Sequence, residues 1–192
     1  LERQLAASGY SGWDFSGGGM APHSALKLWD PVANHDIGYL FHSNYLRPGT
    51  YSISPDGSLL AGTPDGLKMF DTRTGQELDC TDIKSAVGRR SSSSFIFSPD
   101  SRMLVFGALV VFDLNTRTVQ ADFTPHSGTE MVGNAKHTWS GPCHFRQFSP
   151  DGKVLVTSGA GGPGGLKKIC FFNTTEWKQV LEIEADARDI AF

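Results

Sequence analysis

Ser54-Pro55-Asp56-Gly57, Ser98-Pro99-Asp100-Ser101 and Ser149-Pro150-Asp151-Gly152 are three copies of one tetrapeptide, and their reading decides the fold. Pro presets φ for the second position of a turn, Asp satisfies nearby backbone donors, and Gly accepts positive φ without a Cβ penalty. Apolar residues flank each copy, such as Phe145 to Phe148 before and Val154 to Val156 after, so each closes a β-hairpin. Ser101 stands where the other two copies have Gly, which predicts either mild strain or a different turn at that position. From Pro55 to Pro99 is 44 residues and from Pro99 to Pro150 is 51, a period that belongs to repeat architectures.

A second motif interleaves with the first in constant order. An apolar run closed by an aromatic and a short acid or amide occurs at Leu26-Lys27-Leu28-Trp29-Asp30, Leu67-Lys68-Met69-Phe70-Asp71, Leu109-Val110-Val111-Phe112-Asp113 and Ile169-Cys170-Phe171-Phe172-Asn173. Together the two motifs define a four-stranded unit. Strand a ends at Ser-Pro, b follows the Asp-Gly turn, c ends at the aromatic–acid pair, and d follows a polar turn such as Asp71-Thr72-Arg73-Thr74-Gly75. Trp177–Ala185 carries helical spacing at Trp177, Val180 and Leu181, yet Leu181, Ile183 and Ala185 alternate with Glu182 and Glu184 where strand d belongs. That segment reads as a strand.

Antiparallel units of this size predict an all-β chain, a β-propeller of about four blades of four strands each. In these two motifs the chain resembles the tryptophan–aspartate (WD) repeat family. Only Trp29-Asp30 keeps the literal dipeptide, and no glycine–histidine pair precedes strand a; His42 and His137 hold comparable places ahead of two turns. The repeats fall at about 1–49, 50–92, 93–142 and 143–186, with the start of a further strand over 187–192. Members of the family usually close with about seven blades, so the resemblance implies a segment of a larger propeller. A four-bladed ring closed by the two chain ends is the other arrangement considered.

The b–c and d–a connections are expected to share one face and to be long: 9–24, 42–49, 84–92 and 124–142. Long connections on a rigid scaffold are where binding residues collect. Trp13, Phe15, His42, Tyr45, Arg47, Arg89, Arg90 and Trp139 fall there, and aromatics and Arg are the residue types that anchor interfaces. His144 and Arg188, each four residues before the aromatic ending strand a, are expected near the mouth of the central channel. The competing readings are that Trp13 and Trp139 fold back over the barrel, that Arg89-Arg90 is a solvated turn, and that His144 and Arg188 are channel-lining polar groups.

Composition narrows the function classes. Among the 192 residues, 17 Lys and Arg face 20 Asp and Glu for a net charge of −3, which argues against a nucleic-acid binder. No apolar run reaches the ~18 residues of a membrane span. Cys80, Cys143 and Cys170 form no C-x-x-C pair and read as buried or half-buried thiols of a reducing compartment, hence a cytoplasmic location. Gly159-Ala160-Gly161-Gly162-Pro163-Gly164 matches G-x-G-x-x-G, but a strand rather than a helix follows, so no dinucleotide site is expected. His126, His137, Cys143 and His144 match no zinc spacing, and no metal, cofactor or catalytic residue is expected. The family resemblance implies a non-catalytic scaffold that binds a protein or peptide; the competing class is a propeller belonging to an enzyme, with a hydrolase or metal site in its channel.

Overall fold

The computed structural model describes residues 6–14, 21–30, 35–43, 51–62, 67–87, 95–106, 109–123, 127–132, 135–140, 143–160, 167–185 and 192. Strands β1 (Ala6–Asp14), β2 (Ala21–Asp30) and β3 (His35–Ser43) form a three-stranded antiparallel sheet. Strands β4 (Tyr51–Ile53), β5 (Leu59–Gly62), β6 (Lys68–Asp71) and β7 (Glu77–Leu78) form a four-stranded sheet in chain order. A short helix, α1 (Thr81–Val87), follows. The next four-stranded sheet holds β8 (Phe95–Phe97), β9 (Met103–Phe106), β10 (Val110–Asp113) and β11 (Thr118–Asp122). Among the described residues, strands β12 (Ser127–Val132) and β13 (Ala135–Ser140) form a two-stranded sheet of their own. The last sheet holds β14 (Cys143–Phe148), β15 (Val154–Ala160), β16 (Lys167–Asn173) and β17 (Lys178–Glu184). Every pairing is antiparallel between chain neighbours, the up-and-down order expected of blades.

The chain forms two compact units, Leu1–Phe97 and Ser98–Phe192. In the first, Leu60, Ala61, Met69 and Phe70 are buried in the centre of their sheet, and β4 lies against β8. In the second, Leu104, Val105, Val110, Val111 and Phe112 are fully or almost fully buried, as are Leu155, Val156, Cys170 and Phe172. Burial on both faces explains why these strands are near-continuous apolar runs rather than alternating ones. Phe123, just past β11, packs its ring on Phe172 of the following sheet with centroids 5.1 Å apart.

The aromatic that closes strand c is buried at Phe70, Phe112 and Phe172, whereas Trp29 in the three-stranded sheet is 39% exposed. Cys80 and Cys170 are buried, as expected; the Cys143 side chain and Arg188–Ala191 lie outside the described residues. The Lys178–Glu184 segment is a strand and not a helix, its alternation prevailing over the local helical spacing.

Three of the expected long loops are shorter than the sequence suggested. The 9–24 connection is largely strand: β1 and β2 stay paired out to Asp14 opposite Ala21, because Tyr10 and Trp13 continue the β-forming pattern past Ser8. The 124–142 connection contains the β12–β13 hairpin, paired from Ser127–Ser140 to Val132–Ala135. The start of the 84–92 connection is the last part of α1, whose Asp79 caps the helix by accepting from the Thr81 N–H at 2.9 Å.

Candidate functional site

Each Ser-Pro-Asp turn is wired in the same way. The Ser hydroxyl donates to the Asp Oδ1 at 2.6 Å in Ser54–Asp56, 2.5 Å in Ser98–Asp100 and 2.6 Å in Ser149–Asp151. The same hydroxyl accepts the N–H of Leu59, Met103 or Val154, the first paired residue of the returning strand, while the Asp Oδ1 also accepts from Ser58, Arg102 or Lys153. The fourth position has φ of 71° at Gly57, 70° at Gly152 and 60° at Ser101. Ser101 therefore keeps the same turn and carries the strain of a left-handed backbone.

The c–d turns are equally repetitive. Asp71 Oδ1 accepts the N–H groups of Arg73 and Thr74, Asp113 Oδ1 those of Asn115 and Thr116, and Asn173 Oδ1 those of Thr175 and Glu176. Four residues past each acceptor the backbone turns left-handed, at Gly75 (70°), Arg117 (60°) and Trp177 (51°). Each of the three four-stranded sheets ties its two turns together: Thr72, Leu114 and Thr174 N–H groups donate to the carbonyls of Ser58, Arg102 and Lys153. Thr72 and Thr174 add a hydroxyl bond to the carbonyls of Gly57 and Gly152. Leu114 has no hydroxyl, and its sheet is tied instead by Arg102, whose guanidinium meets the buried Asp113 carboxylate at 2.9 Å. Burial pushes the Asp113 carboxyl up, but the N–H donors of Thr116 and Asn115 together with Arg102 outweigh it and hold it below the ordinary 3.8.

Between the turns of the third sheet (β8–β11) and the last sheet (β14–β17), inside the second unit, lies a cleft of about 360 Å³. Its apolar walls are Pro99, Met103, Phe148, Pro150 and Trp177, and its polar lining includes Asp100 and Asp151. Gly152 sits beneath Pro99, such that a Cβ there would meet the Pro99 ring at 3.6 Å. The Asp151 carboxyl is held below its ordinary value first by the Ser149 hydroxyl, so it is ionised at neutral pH. Sequence reasoning read these residues only as turn and strand positions. The signal that could have found the cleft is Trp177, a large ring at a position that Gly occupies in an earlier repeat.

The residues singled out from the sequence lie elsewhere. Trp13 is in β1 opposite Pro22, His42 in β3 opposite Ala25, and Trp139 in β13 opposite Gly128. His144 is the extra residue of a bulge in β14, between Cys143 opposite Gly159 and Phe145 opposite Ser158. Phe15, Tyr45, Arg47, Arg89, Arg90 and Arg188 lie outside the described residues.

This chain is similar in structure to Kuenenia stuttgartiensis hydrazine synthase (16% identity, TM-score 0.51), covering 82% of this chain and 42% of that one. It is also similar to the Dos1 propeller (19% identity, TM-score 0.51), covering 94% of this chain and 49% of that one. The β-propeller domain of the trilobed protease from Pyrococcus furiosus aligns at 12% identity and TM-score 0.49, over 94% of this chain and 68% of that one. No protein-family model and no curated protein matches the sequence. The likeness to the Dos1 propeller, with the antiparallel four-stranded sheets, places the chain among β-propeller folds. The chain spans about half the length of the Dos1 propeller chain it matches, and less of the hydrazine synthase chain. Among the described residues, no helix is long and apolar enough to cross a membrane.

Proposed function

We propose that the chain is a run of WD-repeat-type blades from a larger propeller, working as a non-catalytic platform for a protein or peptide partner. The observation that carries this reading is the construction of two of its connections as hydrogen-bonded hairpins, with Trp13 and Trp139 at fixed register positions within them. A ribbon whose backbone is already ordered loses little conformational entropy when a partner docks, so large aromatic anchors can be expressed as affinity.

The test is capture of a partner by the full chain from an extract of its own cells, compared with Trp13→Ala and Trp139→Ala. A discrete protein retained by the parent and lost from either variant, with the melting temperature moving less than about 4 °C, supports the reading. Loss of retention together with a large fall in melting temperature would make the two rings core residues instead. Substrate turnover or tightly bound metal in the full chain would favour the enzyme class.

A further inference from the structure

We infer that the cleft between the third and last sheets is a second docking site, at the turn end of the blades, for a cationic side chain presented by an extended segment of a partner protein. Three observations on that cleft converge. It is walled by two proline rings and the Trp177 indole, flat apolar surfaces suited to the stem of an arginine or lysine. Its lining includes two carboxylates, Asp100 and Asp151, and no cationic residue, so its charge is complementary to a positive group. Its volume of about 360 Å³ is at the lower end for ligand pockets, enough for one or two side chains.

The neighbouring charges leave that complementarity in place. Arg102 is committed to the buried Asp113 at 2.9 Å. Lys153 is largely exposed and lies 3.7 Å from the outer Asp151 oxygen, a loose pair that an incoming guanidinium can displace. Lys178 is paired with Glu176 at 2.9 Å. Each turn carboxylate spends Oδ1 on its own turn, on the Ser hydroxyl and one backbone N–H, which fixes its position before any ligand arrives.

Trp177 supplies the argument for function over packing. Its φ of 51° is a strained conformation for a large side chain, and the equivalent positions in the second and third sheets are Gly75 at 70° and Arg117 at 60°. Glycine would make this turn without strain and Arg117 meets it with an exposed side chain, whereas Trp177 sets a half-buried indole in the lining of a cleft.

The experiment titrates the full chain with Gly-Gly-Arg-Gly-Gly, the same peptide with Gln for Arg, and free arginine, following tryptophan fluorescence and calorimetry in low salt. The Arg peptide is expected to bind, and the Gln peptide at least tenfold more weakly. Asp100→Asn combined with Asp151→Asn keeps the Oδ1 acceptors and should weaken the Arg peptide at least fivefold; moving from 50 to 300 mM salt should also weaken it. Trp177→Gly should abolish binding while the melting temperature stays within about 4 °C or rises. Equal affinity for the Arg and Gln peptides, or indifference to the two Asn substitutions, would overturn the proposal. So would free arginine binding as tightly as the peptide, or Trp177→Gly lowering the melting temperature sharply. Because Trp13 and Trp139 lie elsewhere, failure of this site leaves the hairpin-face reading standing, and the converse holds.

Discussion

Ser101 shows how much one side chain reveals when a repeat supplies its own control. Gly57 and Gly152 sit at φ of 71° and 70°, and Ser101 is forced to 60° in an otherwise identical hydrogen-bond frame. Replacing it with Gly removes a left-handed penalty of about 1–2 kcal/mol, offset in part by the larger entropy of glycine in the unfolded chain. Ser101→Gly should therefore stabilise by about 0.5–1 kcal/mol, read as a rise in the denaturant midpoint with an unchanged m-value. The opposite sign would mean that the Ser101 side chain contributes more than its backbone costs. Phe112 marks the other extreme: its ring is 1% exposed at the centre of β10. Phe112→Ala should destabilise by about 3–5 kcal/mol, checked by chemical denaturation. Both positions were legible in the sequence, one as the copy that broke a motif and the other as the aromatic that closed one.

At the scale of elements, the turns and short strands were legible because each is specified by local chemistry that recurs. The β12–β13 hairpin was not, although Gly133-Asn134 between Val132 and Ala135 is a pair that favours tight hairpin turns. Polar Thr129, Glu130, Lys136 and Thr138 masked the alternation there, so β-branched and aromatic residues read as loop decoration. Helix α1 was hidden for another reason: seven residues hold too few turns to show a period. The cleft was invisible because it is made by the Pro99 and Pro150 turns, 51 residues apart, and the turn at Trp177, and the sequence does not say which turns meet. Within a blade the tie between turns can be measured. The Thr72 hydroxyl, almost fully buried, donates to the Gly57 carbonyl, and the more open Thr174 does the same to Gly152. Thr72→Val should cost about 1–2 kcal/mol and Thr174→Val less, since water can replace the second bond. Equal costs, measured by thermal unfolding, would mean that the tie contributes little beyond the backbone bond beside it.

Across the whole molecule, repetition turns local electrostatics into a collective acid response. Asp71, Asp113 and Asp151 all have carboxyls held below the ordinary 3.8. The leading causes are the Thr74 N–H at Asp71 and the Ser149 hydroxyl at Asp151, while at Asp113 burial opposes the shift and is outweighed by its donors. A carboxyl that releases its proton more readily when folded binds fewer protons in the native state than in the unfolded one. The stability it contributes is complete above the ordinary carboxylate value and drains away as pH falls through the folded value. The melting temperature should then be flat from neutrality down to about pH 5 and fall steeply below about pH 4. The last sheet contains its own control, because Asn173 occupies the place of Asp71 and Asp113, makes the same two backbone bonds, and does not titrate. Asp71→Asn combined with Asp113→Asn should reproduce that turn in the second and third sheets. The double variant should lose stability at neutral pH, chiefly from the broken Arg102 pair, and show a shallower acid limb than the parent. Parallel acid limbs in the two proteins would locate the acid response in carboxylates outside these turns.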